Sequence, residues 1–104
     1  MKSYLKACCT LDLSEREQKK MVIMFNALGN PSRFEVMKYL VIHNGCYTSE
    51  IVDHLPQAQA TVSQHLKVLD EAGWVDRLYE GTATSICLNE KNISWFKEKT
   101  GDIF

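Results

Sequence analysis

The stretch Gln59-Ala60-Thr61-Val62-Ser63-Gln64-His65-Leu66-Lys67-Val68-Leu69 decides how this chain folds. Val62, Leu66 and Leu69 recur at i, i+4 and i+7, which on a helix aligns them in one apolar stripe. The other positions include Gln59, Thr61, Ser63 and Gln64, all short and polar, with Lys67 as the one cation. Such an edge can enter a duplex groove. Gln59 and Gln64 can bond an adenine edge bidentately, Thr61 and Ser63 can bond bases or phosphates, and Lys67 adds charge. An ordinary solvated helix has the same look, so the flanking segments must discriminate.

Immediately before it, Thr48 is expected to cap a short helix with Ile51, Val52 and Leu55 apolar, closed at Pro56. Two helices joined by a short turn predict a helix-turn-helix, whose second helix stops at Gly73. After Gly73 the period changes. Trp74 to Tyr79 and Thr84 to Leu88 are β-prone runs separated by Glu80-Gly81-Thr82, a hairpin. From Asn92 onward, Ile93, Trp95, Phe96, Ile103 and Phe104 read as a last amphipathic helix, whose aromatics could line a ligand pocket but are more plainly expected to be buried against a partner subunit.

Toward the N-terminus, Ser14 and Glu17 form a capping box before Met21, Met24, Phe25 and Leu28, with Gly29 as a left-handed stop. Asn30-Pro31 starts a second helix, whose Phe34, Met37, Leu40 and Val41 are expected to face the core and which ends at Asn44-Gly45. The fold class is mainly α with a small β-hairpin, in the order α-α-α-α-β-β-α of a winged helix-turn-helix. A cysteine-bearing arm, residues 1–13, precedes the domain of residues 14–104, for which DNA binding and dimerisation are the expected roles.

The chain of 104 residues is 45% hydrophobic and 24% charged, a balance that suits one soluble domain and leaves no room for a cleft between lobes. Its formal net charge of −1 excludes attachment to nucleic acid by bulk charge. Nor is either DNA-facing segment basic: Lys67 is offset by Asp70 and Glu71, and Arg77 by Asp76 and Glu80. Phosphate contacts are therefore expected from hydroxyls, helix N-termini, Arg33, Lys67 and Arg77. One copy would bind weakly. Two copies on a palindrome, with recognition helices roughly 34 to 36 Å apart, would double the contacts. The longest apolar runs fall far short of the ~20 residues that span a bilayer, and the charged N-terminus lacks a secretory core, so a cytoplasmic protein without a membrane partner is expected.

Four cysteines remain: Cys8, Cys9, Cys46 and Cys87. Adjacent residues cannot easily close a relaxed disulfide with each other, since their Cα atoms are fixed about 3.8 Å apart. Cys8 and Cys9 can instead both hold one thiophilic ion, As(III), Sb(III), Cd(II) or Pb(II), if Cys46 supplies a third thiolate. The plainer account is two cysteines that happen to share an arm. Cys87, between Ile86 and Leu88, reads as a small buried hydrophobe. His43, His54 and His65 have no zinc-site spacing and are read as structural, His65 as a buttress of the recognition helix. No nucleophile-base-orienter set and no Gly-rich phosphate loop occurs, so an enzyme is not expected.

Three segments in order carry a family likeness: Ala27-Leu28-Gly29-Asn30-Pro31-Ser32-Arg33, the stretch from Gln59 to Leu69, and Glu71-Ala72-Gly73-Trp74-Val75. Over roughly residues 20 to 90 the chain resembles the ArsR/SmtB winged-helix metalloregulatory repressors. The resemblance implies a homodimer paired through its first and last helices, bound to a palindromic operator and released by an inducer. It also implies that Gln59, Ser63 and Gln64 occupy DNA-contacting positions. The family's Cys-x-Cys at the third helix is incomplete here, because only Cys46 stands before Tyr47-Thr48-Ser49. A vicinal pair in the arm with one cysteine near that helix resembles arsenic sensors of the family, which implies Cys8, Cys9 and Cys46 as the site and As(III) or Sb(III) as inducer. The carboxylate-histidine zinc site of the last helix has no counterpart from Asn92 to Phe104. The resulting expectation is an arsenic-responsive repressor. A thiol redox or persulfide switch on the same fold, and a metal-binding module without an operator, are the alternatives.

Overall fold

The computed structural model describes residues 13–104. Helix α1 (Glu15–Leu28) begins where the capping box predicts: the Ser14 hydroxyl accepts from Glu17 N at 3.1 Å, and Glu17 accepts from Ser14 N at 3.1 Å. It buries Met21, Met24 and Ala27 and leaves Phe25 exposed. Gly29 ends α1 without turning left-handed, at φ −74°, which corrects the sequence expectation. Asn30 Oδ1 then accepts from Ser32 N and Arg33 N to start α2 (Pro31–Ile42), as Asn-Pro predicts.

Helix α2 buries Val36, Met37 and Leu40, whereas Phe34 and Val41, expected inside, are 50% and 67% exposed. Apolar residues are spread around this helix, so its periodicity names no single buried face. A two-residue strand, β1 (Cys46–Tyr47), follows and was not predicted. The sheet is consequently three-stranded and antiparallel in the order β1-β3-β2, where a lone hairpin was expected. Helix α3 (Thr48–His54) is capped by Glu50 accepting from Tyr47 N at 2.8 Å. Thr48 is not the cap; its hydroxyl donates to Thr84 O at 3.3 Å and ties α3 to the sheet.

Helix α4 (Gln59–Ala72) buries Val62, Leu66 and Leu69, the predicted stripe, and ends at Gly73 in the left-handed region, φ +95°. Strands β2 (Val75–Glu80) and β3 (Ala83–Leu88) pair Val75 with Leu88 and Glu80 with Ala83. Helix α5 (Glu90–Ile103) is capped by Asn89 and has no fully buried residue. Its Phe96 packs between Phe25 and Trp74, with ring centroids 4.9 Å from each, and Lys20 lies over the Trp95 ring. These two aromatics are thereby half-buried against the chain's own core; Ile103 and Phe104 remain exposed.

The core runs from Met24 through Leu40, Ile51 and Leu66 to Ile86. Trp74 closes it, with Nε1 donating to Met24 O at 2.8 Å. The sequence expectation thus holds at the level of class: four helices, a wing and a last helix. Among the described residues, no helix is long and apolar enough to cross a membrane.

Candidate nucleic-acid interface

Because α4 turns 100° per residue, its polar positions divide into flanks. Gln59 and Ser63 lie one turn apart on the flank toward the wing. Ala60, Gln64 and Lys67 stand opposite the buried stripe, all exposed, and Thr61 projects from the flank away from the wing. The structure thus brings Gln59 and Ser63 together, sets Gln64 and Lys67 beside them on the outer edge, and separates Thr61 from both.

Arg77, the sixth predicted DNA contact, is on the face of β2 turned toward the helices. Its register partner is Ile86, which is wholly buried. From there Arg77 Nε donates to Asp70 Oδ2 at 2.9 Å. The guanidinium is thereby anchored to the end of α4 rather than extended into solvent. Arg33 is similarly engaged, with Nε donating to Ala27 O at 2.6 Å.

A groove of about 640 Å³ separates α3 and α4 from the wing. Gln59, Ser63 and Arg77 line it together with residues that sequence reasoning missed, notably Ser49, Tyr79 and Thr84. Among the described residues, seven of the thirteen that line it carry a hydroxyl, against one acid, Asp53, and one base, Arg77. The signal was available as hydroxyl-rich sequence at Tyr47-Thr48-Ser49 and Thr82-Ala83-Thr84-Ser85, but only the fold brings the two runs to one groove. A surface of this composition offers hydrogen bonds to phosphate oxygens with little Coulombic attraction.

The turn of the helix-turn-helix is held from behind. Gln57 Nε2 donates to Ser32 Oγ at 2.9 Å, linking the turn to the start of α2. Behind α4, His65 Nδ1 is buried without a hydrogen-bond partner. Burial, reinforced by the Arg33 charge, pulls the His65 pKa below its ordinary value. His43 and His54 each stack on Tyr39 with centroids 4.5 Å apart.

Of the predicted thiol set, Cys8 and Cys9 lie outside the described residues. Cys46 is buried in β1, where burial pushes its thiol pKa up and the Glu50 carboxylate adds to the effect. Cys87 is half-buried rather than buried. It pairs with Asp76 while Cys46 pairs with Ile86, and because neighbouring residues of a strand point to opposite faces, the two thiols sit on opposite sides of the sheet. Among the described residues, no three His, Cys, Asp or Glu side chains are grouped to hold a metal ion.

Comparison with known proteins agrees with this geometry. The family described as bacterial regulatory protein, arsR family, matches residues 30–77. An HTH-type transcriptional regulator of Methanocaldococcus jannaschii is 36% identical over 64 residues, which cover 62% of this chain and 72% of that protein. HlyU from Vibrio cholerae shares the fold with a TM-score of 0.66 at 24% identity, over 82% of this chain and 96% of that one. A homodimeric winged helix-turn-helix DNA-binding domain of Mycobacterium bovis superposes with a TM-score of 0.69 at 18% identity, over 88% and 87% of the two chains. The polar edge of α4, the wing beside it and these relatives together place the chain in the arsR family of bacterial regulatory proteins, as a transcriptional regulator that binds DNA through a winged helix-turn-helix and is not an enzyme.

Proposed function

We propose that the protein is a homodimeric repressor of a palindromic operator, released when As(III), Sb(III) or a similar thiophilic ion is taken up by Cys8, Cys9 and Cys46. The observation that carries the dimeric reading is the apolar surface left on the two outer helices. Val22, Ile23 and Phe25 of α1 are exposed, as are Ile103 and Phe104 at the end of α5. A second copy is the natural cover, because one protomer offers too few cations for stable attachment to a duplex. The dimeric DNA-binding domain of Mycobacterium bovis, with the same fold, supports this reading.

In the operator complex, Gln59, Ser63 and Gln64 read base edges and Lys67 and Thr61 hold the backbone, while Arg77, paired with Asp70, joins the wing to α4 instead of reaching a phosphate. The inducer reading rests on thiol chemistry. Cys46 stands on an edge strand next to α3, so a ligand that engages it acts directly on the helix-turn-helix. Arsenous acid and three thiols condense with loss of three waters, so a set of three cysteines suits As(III) or Sb(III). Release needs only a differential affinity for two dimer geometries of about 1 to 3 kcal/mol, a 5- to 150-fold change in operator affinity.

The test combines sedimentation with anisotropy on a duplex selected by the protein from a randomised pool. A dimer that binds a palindrome, is monomerised by Ile23→Asp, and is released by arsenite but not by Zn(II) or peroxide supports the proposal. Arsenite release unchanged in Cys46→Ser removes Cys46 from the site; release by peroxide alone favours a redox switch. A monomer that selects no sequence sinks the repressor reading.

A further inference from the structure

We propose that the phosphodiester strand between the major and minor grooves of a bound duplex runs along the channel between α3, α4 and the wing, and that Asp53 in its wall weakens sequence-independent binding. This rests on the DNA-binding reading above. With α4 in the major groove and the wing over the neighbouring minor groove, the strand dividing those grooves has to pass between the two elements. The channel there is lined by Gln59 and Ser63 on one side and Tyr79 and Thr84 on the other. Among the described residues its one base, Arg77, is already paired with Asp70, so the unpaired charge they turn toward the strand is the Asp53 carboxylate.

Asp53 is exposed and, among the described residues, has neither an ion-pair partner nor a side-chain hydrogen bond. It lies in the last turn of α3, where a negative charge opposes the helix dipole. A duplex carries one negative charge per roughly 1.7 Å of axis, so a carboxylate beside it repels every sequence alike. Hydrogen bonds from Gln59 and Ser63 to base edges offset that repulsion only on the right sequence. The carboxylate thereby lowers the floor of backbone affinity and makes attachment depend on base contacts.

The experiment uses the full chain, a duplex selected from a randomised pool and a scrambled duplex of equal length, with anisotropy measured across a salt series. Asp53→Asn is expected to tighten binding of the scrambled duplex about fivefold at low salt, the size of one close charge repulsion in a water-like medium. Asp53→Lys is expected to steepen the salt slope by about 0.9 per protomer, one added phosphate contact. Glu98→Lys, the same charge change on an exposed α5 position outside the channel, is expected to leave the slope unaltered. Matched urea midpoints establish that all variants fold. If wild type binds its selected duplex but Asp53→Lys behaves like Glu98→Lys, the strand does not follow this channel and the proposal fails while the DNA-binding reading stands. If wild type binds no duplex at low salt, both fail.

Discussion

Arg77 on the wing and Asp70 in the last turn of α4 form an ion pair with Nε 2.9 Å from Oδ2, and this pair ties the recognition helix to the wing. Both side chains are partly buried, at 25% and 33% exposure, so solvent screens the attraction and its stability contribution is small, within about 1 kcal/mol. Its value is geometric. Lysine keeps the charge of arginine but lacks the Nε donor and the planar fork. Arg77→Lys is therefore expected to lower operator affinity about as much as Arg77→Ala, roughly fivefold, with the urea midpoint nearly unchanged. Anisotropy at fixed salt decides: full affinity in Arg77→Lys shows that only the charge matters.

The end of α4 is latched to α5. Asn92 Nδ2 donates to Gly73 O at 3.0 Å, and Gly73 sits at φ +95°. A Cβ added at Gly73 would meet Asn92 Nδ2 at 2.8 Å. Gly73→Ala combines left-handed strain with this clash and is expected to destabilise by about 2 kcal/mol; Asn92→Ala loses one hydrogen bond, about 1 kcal/mol. In the double variant the clash disappears, so the sum is expected to exceed the measured loss. A urea double-mutant cycle checks this, and strict additivity would show that the two residues do not press on each other.

His65 links stability to pH. Its folded-state pKa lies below the ordinary 6.5 because of burial first and the Arg33 charge second. Above pH 6.5 the imidazole is neutral in both states and its contribution is fully present. As pH falls below 6.5 the unfolded chain takes up the proton first, so stability declines until the lowered folded pKa is passed. Thermal melts from pH 7.5 down to about 5 are expected to show a decline that His65→Gln flattens. Equal slopes in the two proteins would show that His65 is already solvated.

What the sequence disclosed and what it withheld follow from the same physics. Helix α4 was legible because Val62, Leu66 and Leu69 select one face and Gly73 marks a backbone turn that other residues resist. Strand β1 was not, since Cys46 and Tyr47 are too few to show alternation and become a strand only when β3 offers its edge. In α2, Phe34 and Val41 read as core because the helix is apolar on several sides. Among the candidate site residues, Gln59, Ser63, Gln64 and Lys67 are placed on the polar side of α4 by helical spacing alone. The Asp70–Arg77 pair and the facing of Ser49 and Tyr79 across the groove depend on how the sheet docks, which no local pattern encodes.

Cys46 supplies the last prediction. Its thiol is buried and titrates above the ordinary 9.0, whereas Cys87 is only half-buried on the opposite face of the sheet. Alkylation needs an accessible thiolate, so with iodoacetamide near pH 8 the Cys46 peptide is expected to react about tenfold more slowly than the Cys87 peptide, a gap that urea closes. The same shift has a stability consequence of opposite sign to that of His65. Once pH rises past 9.0 the unfolded chain loses the thiol proton while the folded chain still holds it, so stability falls with rising pH, and Cys46→Ala removes that part of the fall. Slow alkylation also bears on induction. If Cys46 becomes reachable only when the β1 edge opens, arsenite release of the operator is expected to be limited by that opening and to saturate with inducer concentration. A release rate that rises linearly with arsenite throughout would show that Cys46 is open to the ligand from the start.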